Sequence, residues 1–114
     1  MRRVTVALTT DASGNCTAYS PVVSGRIMSI IYTRGTLDAV TTDVTVSTGA
    51  TLQTVLTLTN VTATGVYHPR SVVHGNTGTA LTGVEPINVA DEEIKIVVAQ
   101  GGNVGTGSVT LVIG

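Results

Sequence analysis

The feature that most constrains the fold is a two-residue alternation of apolar and polar side chains through nearly the whole chain. Val4, Val6 and Leu8 alternate with threonine and alanine, and Val44 and Val46 alternate with polar neighbours. Successive side chains of a strand point to opposite faces, so this period is typical of strands with one buried face. No stretch of ten or more residues shows the helical period of 3.6. The sequence therefore predicts an all-β protein.

About eight short strands separated by turn residues are expected. They cover residues 4–9, 16–20, 26–34, 43–47, 52–61, 87–89, 94–100 and 108–113. The third is apolar on both faces and is expected to be central or to face an interface. A chain of 114 residues has the commonest size of one domain. We expect one domain over residues 1–114, an antiparallel β-sandwich of the jelly-roll kind.

The connections carry their own predictions. The turn residues of 11–15 predict an opening hairpin, and the glycine-rich run 101–107 predicts a hairpin between the last two strands. Residues 62–86 look irregular, and we expect a long loop there with a short strand around 71–74. Loops of this length in small domains are usually functional or mobile.

The chain carries unusually few charges. Charged residues make up 11% of it, with six Lys and Arg against seven Asp and Glu, whereas soluble domains usually carry about 25%. The absence of a basic stripe argues against nucleic-acid binding, and the absence of long apolar or like-charged runs argues against a membrane role. A surface polar through threonine and serine suits a protein covered by neighbouring subunits, and a threonine-rich monomer is the alternative.

The core must be aliphatic, since the sequence has no Phe or Trp and only three Tyr. Each buried aliphatic side chain contributes about 1.5–3 kcal/mol, which makes a thin core at this length. Contacts with other subunits would supplement it.

No group of residues predicts catalysis, a metal or a cofactor. His68 and His74 lack a third ligand for zinc, and residues 91–93 form an acidic turn without the spacing of a calcium loop. The run 101–107 lacks the Lys-Ser/Thr ending of a phosphate loop. Cys16, the one cysteine, lies on an alternating strand and is expected to be a buried thiol. We therefore expect a protein that is not an enzyme.

The start of the chain does not predict a secretory leader. Arg2 and Arg3 resemble the beginning of a signal peptide, but the following apolar stretch is short and is broken by Thr and Asp. The first residues alternate as a strand does. We expect synthesis in the cytoplasm without a signal peptide.

Several segments together resemble a family of small virion proteins encoded among the head genes of tailed bacteriophages and prophages. They are Val4-Thr5-Val6, Thr10-Asp11-Ala12-Ser13-Gly14, Tyr19-Ser20-Pro21-Val22-Val23-Ser24-Gly25, Tyr67-His68-Pro69-Arg70, residues 94–103 and residues 107–114. The resemblance spans most of the chain and is weaker between Thr36 and Val61.

The resemblance implies a capsid decoration (cement) protein that binds and stabilises the major capsid shell. Its partners would be the major capsid protein and further copies of itself, as a homotrimer, on the capsid surface of the virion. The family has no catalytic residues to transfer. The alternative is a structural or host-carbohydrate-binding module associated with the tail or the head–tail junction.

We expect partner contacts in two regions. In the irregular segment the candidates are Tyr67, His68, Arg70 and His74, because Tyr is favoured at interface centres and Arg pairs with carboxylates through two hydrogen bonds. At the start of the chain the candidates are Arg2 and Arg3. The alternative for Arg70 is a peripheral salt bridge of little energetic value.

Overall fold

The computed structural model describes all 114 residues, and they form ten strands and no helix. The strands are β1 (Arg2–Thr9), β2 (Cys16–Tyr19), β3 (Val23–Thr33), β4 (Asp43–Thr48), β5 (Thr54–Leu58), β6 (Gly65–Tyr67), β7 (Arg70–His74), β8 (Ala80–Glu92), β9 (Ile94–Ala99) and β10 (Thr106–Ile113). Eight of the ten correspond to the expected strands, β7 corresponds to the short strand expected around 71–74, and β6 was not expected.

The strands form two antiparallel sheets. The first has the order β1-β10-β3-β8-β7, with β6 also paired to β3, and the second has the order β2-β9-β4-β5. Without β6 and β7, eight strands remain, in which the first pairs with the last, the second with the seventh, the third with the sixth and the fourth with the fifth. This nested pairing is the jelly-roll arrangement, so the predicted all-β sandwich is confirmed.

The core lies between the sheets and follows the alternation in the sequence. On β1 the valines and Leu8 are buried while their neighbours are exposed, and on β4, β9 and β10 buried residues alternate with half-buried ones. Twenty buried residues form one cluster, all of them Val, Ile or Leu except Tyr32. The sandwich is thus held by aliphatic side chains, as the composition requires.

Both expected hairpins are wrong, because each connection crosses from one sheet to the other. β1 and β10 belong to the first sheet, whereas β2 and β9 belong to the second. The two connections instead bind each other: Gly101 N–H donates to Gly14 O (2.8 Å) and Val104 N–H donates to Asp11 O (3.1 Å). Hairpins and sheet-crossing turns use the same residues, and distant strand partners decide between them.

The expected long strand over 52–61 is reduced to β5. Leu52 (φ 56°) and Asn60 (φ 49°) adopt left-handed backbone on either side of it. Residues other than glycine rarely adopt this conformation within a strand, so the pairing of β5 with β4 reaches neither Leu52 nor Asn60.

The expected long loop over 62–86 is also mostly wrong, although the strand predicted around 71–74 is present as β7. β6 pairs with β3 from Ile30 to Tyr32, while β8 pairs with β3 only from Val23 to Ile27. Because β6 occupies the next part of that edge, the first half of β8 leaves the sheet with β7 as a two-stranded ribbon. We call β7 with residues 80–86 the arm. The molecule is elongated, with extents of 47 × 25 × 22 Å.

Candidate partner-binding surface

The root of the arm lies at a gap on the edge of β3. β8 stops pairing at Ile27 and β6 begins at Ile30, which leaves the Met28 carbonyl without a strand partner. The Arg70 guanidinium donates to it through Nη1 (3.2 Å), and His68 Nδ1 lies 3.5 Å from it. His68 and Arg70, both predicted from the sequence, therefore lie at the same backbone group, the Met28 carbonyl.

Arg70 keeps most of its donors for a partner. Nη1 also donates to the Pro69 carbonyl (2.8 Å), and the other two nitrogens of the Arg70 guanidinium make no hydrogen bond within the chain. A guanidinium has five N–H groups in a planar fork. The Met28 and Pro69 carbonyls fix the side chain at the surface, and its remaining edge can bind a carboxylate.

Tyr67 has a different position. It is half-buried and packs against the core, opposite Ile30 in the ladder. Its ring also closes an open groove lined by residues 57–64, among which are four threonines. Tyr67 thus supports the fold and offers only one side to a partner.

Arg2 and Arg3 are exposed at the start of β1, and the register places them level with the gap. Arg2 pairs with Ile113 and Arg3 with Val112, which pair in turn with Ile27 and Ser29. Two strand spacings separate β1 from β3, or about 10 Å. The two regions predicted separately from the sequence therefore lie at the same end of the first sheet.

Arg26 was missed by sequence reasoning. It is exposed on β3, and its backbone exchanges hydrogen bonds with Gly114 beside it. An arginine at the start of the apolar run 27–32 was the available signal. We call Arg2, Arg3, Arg26 and Arg70 the arginine cluster, and it contains four of the six basic residues.

Two acidic residues near the cluster, Asp91 and Glu92, are already hydrogen-bonded. The Asp91 carboxylate accepts from the Ser24 hydroxyl. The Glu92 carboxylate accepts from the Thr51 and Ala50 amides at 2.8 and 2.9 Å, and these bonds, that of Thr51 foremost, lower its pKa. Glu92 thus ties the end of β8 to the β4–β5 connection.

His74 is not part of the cluster. It lies exposed at the end of β7, opposite Ala80, four residues from Arg70. At about 3.3 Å per residue this is about 13 Å along the strand. The two histidines therefore do not share a site, and no group of three or more His, Cys, Asp and Glu residues is placed to hold a metal ion.

Comparison with family models, with curated proteins and with solved structures gave no match. No helix of the structure is long and apolar enough to cross a membrane.

Proposed function

We propose that the protein is a structural subunit of a tailed-phage virion, a capsid decoration protein that binds and stabilises the major capsid shell. The resemblance in the sequence suggests this role. The observation that carries it is that four of the six basic residues, Arg2, Arg3, Arg26 and Arg70, lie with His68 at one end of the first sheet.

The arginine cluster is suited to a carboxylate-bearing partner. Guanidinium–carboxylate pairs are charge-assisted and directional, and several of them fix an orientation as well as an affinity.

The remaining surface is suited to burial. The outward positions of β1 and β10 carry mainly Thr, Ser and Ala, and the Thr5 and Thr110 hydroxyls bond each other across the two strands (3.0 Å). Uncharged hydroxyls that already have partners lose less on desolvation than ionised side chains do. Several copies, as in the expected homotrimer, would add avidity to contacts that are weak singly.

The test measures how tightly the purified protein binds to capsids that lack it and that are assembled from the major capsid protein of the same phage. Arg70→Ala removes one guanidinium group of the cluster and is expected to weaken binding to capsids five- to thirty-fold, the equivalent of about 1–2 kcal/mol. Lys95→Ala removes the same charge on β9 of the second sheet and is the matched control, with unchanged binding expected.

Salt dependence gives a second measurement on the same variants. Wild-type binding should weaken as ionic strength rises, and Arg70→Ala should show a shallower dependence. Equal capsid binding by wild type, Arg70→Ala and an Arg2/Arg3 double alanine variant would refute the cluster as the docking site. Failure of the wild-type protein to bind capsids would refute the function.

The second candidate function is a carbohydrate-binding module on the tail. The groove between Tyr67 and residues 57–64 favours it, because an aromatic ring beside hydroxyl groups can stack on and hydrogen-bond a sugar. A glycan array with the purified protein tests it. Specific binding that Thr59→Val or Thr62→Val weakens supports this candidate, and the absence of binding removes it.

A further inference from the structure

The arm is the least supported part of the structure. β8 is the one strand with which β7 makes extensive contact, and every residue from Asn76 to Glu85 is exposed. No strand of the second sheet covers the arm. A two-stranded ribbon alone is marginal in water and needs packing against another layer.

Both faces of the arm carry apolar side chains. Val72 and Val84 are direct cross-strand neighbours on one face and are 44% and 62% exposed. Leu81 (51% exposed) and Val73 belong to the other face, where Val73 also covers Gly83. Exposed apolar side chains on a ribbon that no other layer supports favour burial against another surface.

We propose that the arm of each copy packs on a neighbouring copy of the same chain. The inference rests on the proposed function, since a decoration subunit acts in several copies, and it names the element that joins them. This contact does not use the arginine cluster at the root of the arm, which stays available to bind the capsid.

The area of the arm favours exchange between copies. At about 3.3 Å per residue and 4.8 Å per strand, each face measures about 20 × 10 Å, or about 200 Å². Covering both faces buries about 800 Å² when both partners are counted, less than a stable complex needs. When two copies exchange arms, each gives one arm and receives one, and the total area buried between them doubles to about 1,600 Å², the standard size.

The charges of the arm are also compatible with pairing between copies. Arg70 and Glu85 are its only formal charges, one of each sign, at its root. Two arms therefore meet without net repulsion, and the apolar part around Val84 carries no charge to desolvate.

The experiment is the molar mass of the purified chain in solution, measured by light scattering after gel filtration. The wild type is expected at a small multiple of 11.6 kDa. Val84→Lys places a charge in the apolar face of the arm and should give a monomer. Val40→Lys changes an equally exposed valine in the β3–β4 connection, 69% exposed, and should keep the wild-type mass.

Two results would overturn the inference: a monomeric wild type at tens of micromolar, or a Val84→Lys variant that keeps the wild-type mass. Far-UV circular dichroism shows that each variant is folded. Amide hydrogen exchange over residues 80–85 gives an independent measurement, with slow exchange in the wild type and fast exchange in Val84→Lys.

Capsid binding of the same variants separates this inference from the proposed function. If the wild type is monomeric and Val84→Lys weakens its binding to capsids, the arm contacts the capsid protein. That result would refute self-association and would leave the decoration function standing. An oligomer that depends on Val84 but never binds capsids would support the arm's role and refute the decoration function.

Discussion

The hydroxyl of Thr10 joins the two sheet-crossing connections, and its removal tests how the sandwich is closed at that end. Thr10 is 2% exposed. Its Oγ1 donates to the Gly102 carbonyl (2.9 Å) and accepts from the Gly105 amide (2.7 Å). Thr10→Val keeps the size and branching of the side chain and removes both bonds.

The expected cost follows from the two peptide groups that lose a partner in a buried place. A buried group left unsatisfied costs about 1–3 kcal/mol. The bond from Thr10 N–H to Gly105 O (2.9 Å) remains and limits the opening of the loop. We expect a loss of about 2 kcal/mol, equivalent to a fall in Tm of about 8 °C for a chain of this length.

The assay is urea and thermal unfolding followed by circular dichroism at one fixed chain concentration, because self-association would make stability depend on concentration. Thr5→Val is the matched control. Its hydroxyl bonds Thr110 on the exposed face, so a change within about 0.5 kcal/mol is expected. If Thr10→Val is as stable as the control, the reasoning that this hydroxyl closes the sandwich is refuted.

Three further predictions concern stability. The N–H groups of Val40 and Thr41 hydrogen-bond the Asp38 carboxylate and lower its pKa, so its contribution to stability is present at neutral pH and is lost as pH falls through its folded pKa. Tm should therefore fall between pH 7 and pH 3, and less steeply in Asp38→Asn. Parallel curves of Tm against pH for the two proteins would contradict this. Gly107→Ala would bring a Cβ within 2.7 Å of Leu37 Cδ1 and Thr33 O and should lower the free energy of unfolding in urea by about 1–3 kcal/mol. The control is Gly75→Ala, whose Cβ meets nothing nearer than 3.9 Å. Equal stability of the two variants would refute the close packing around Gly107. Tyr32 is buried with no hydrogen bond to its hydroxyl, so Tyr32→Phe should leave Tm unchanged or raise it, and a clear fall would show an overlooked partner.

The sequence was informative where local chemistry decides the structure. The alternation on β1, β4 and β9 identified the strands and their buried faces, because the two-residue period directly reports which face meets the core. The doubly apolar β3 was expected to be central or to face an interface, and it is central, between β10 and β8.

It was uninformative where long-range pairing decides. The turns at 11–15 and 101–107 have hairpin residues, yet each crosses between sheets, since the partners of β2 and β9 lie far away in the chain. β6 has only three residues and gives no measurable alternation. The arm follows from competition between β6 and β8 for one edge of β3, which no local pattern encodes.

The candidate site has the same limitation. Arg2, Arg3 and Arg70 could be chosen one by one from their residue type, but their proximity depends on the strand order β1-β10-β3-β8-β7. Arg26 was missed because its strand looked like core. The roles of these residues in partner binding stay predictions.

The most direct test of the decoration function is the position of the protein in virions. Particles purified from lysates that produce it would be labelled with an antibody to the chain and viewed by electron microscopy. Label over the head surface, at many sites per particle, is the predicted result. Label confined to the tail, or absent from purified particles, would contradict it.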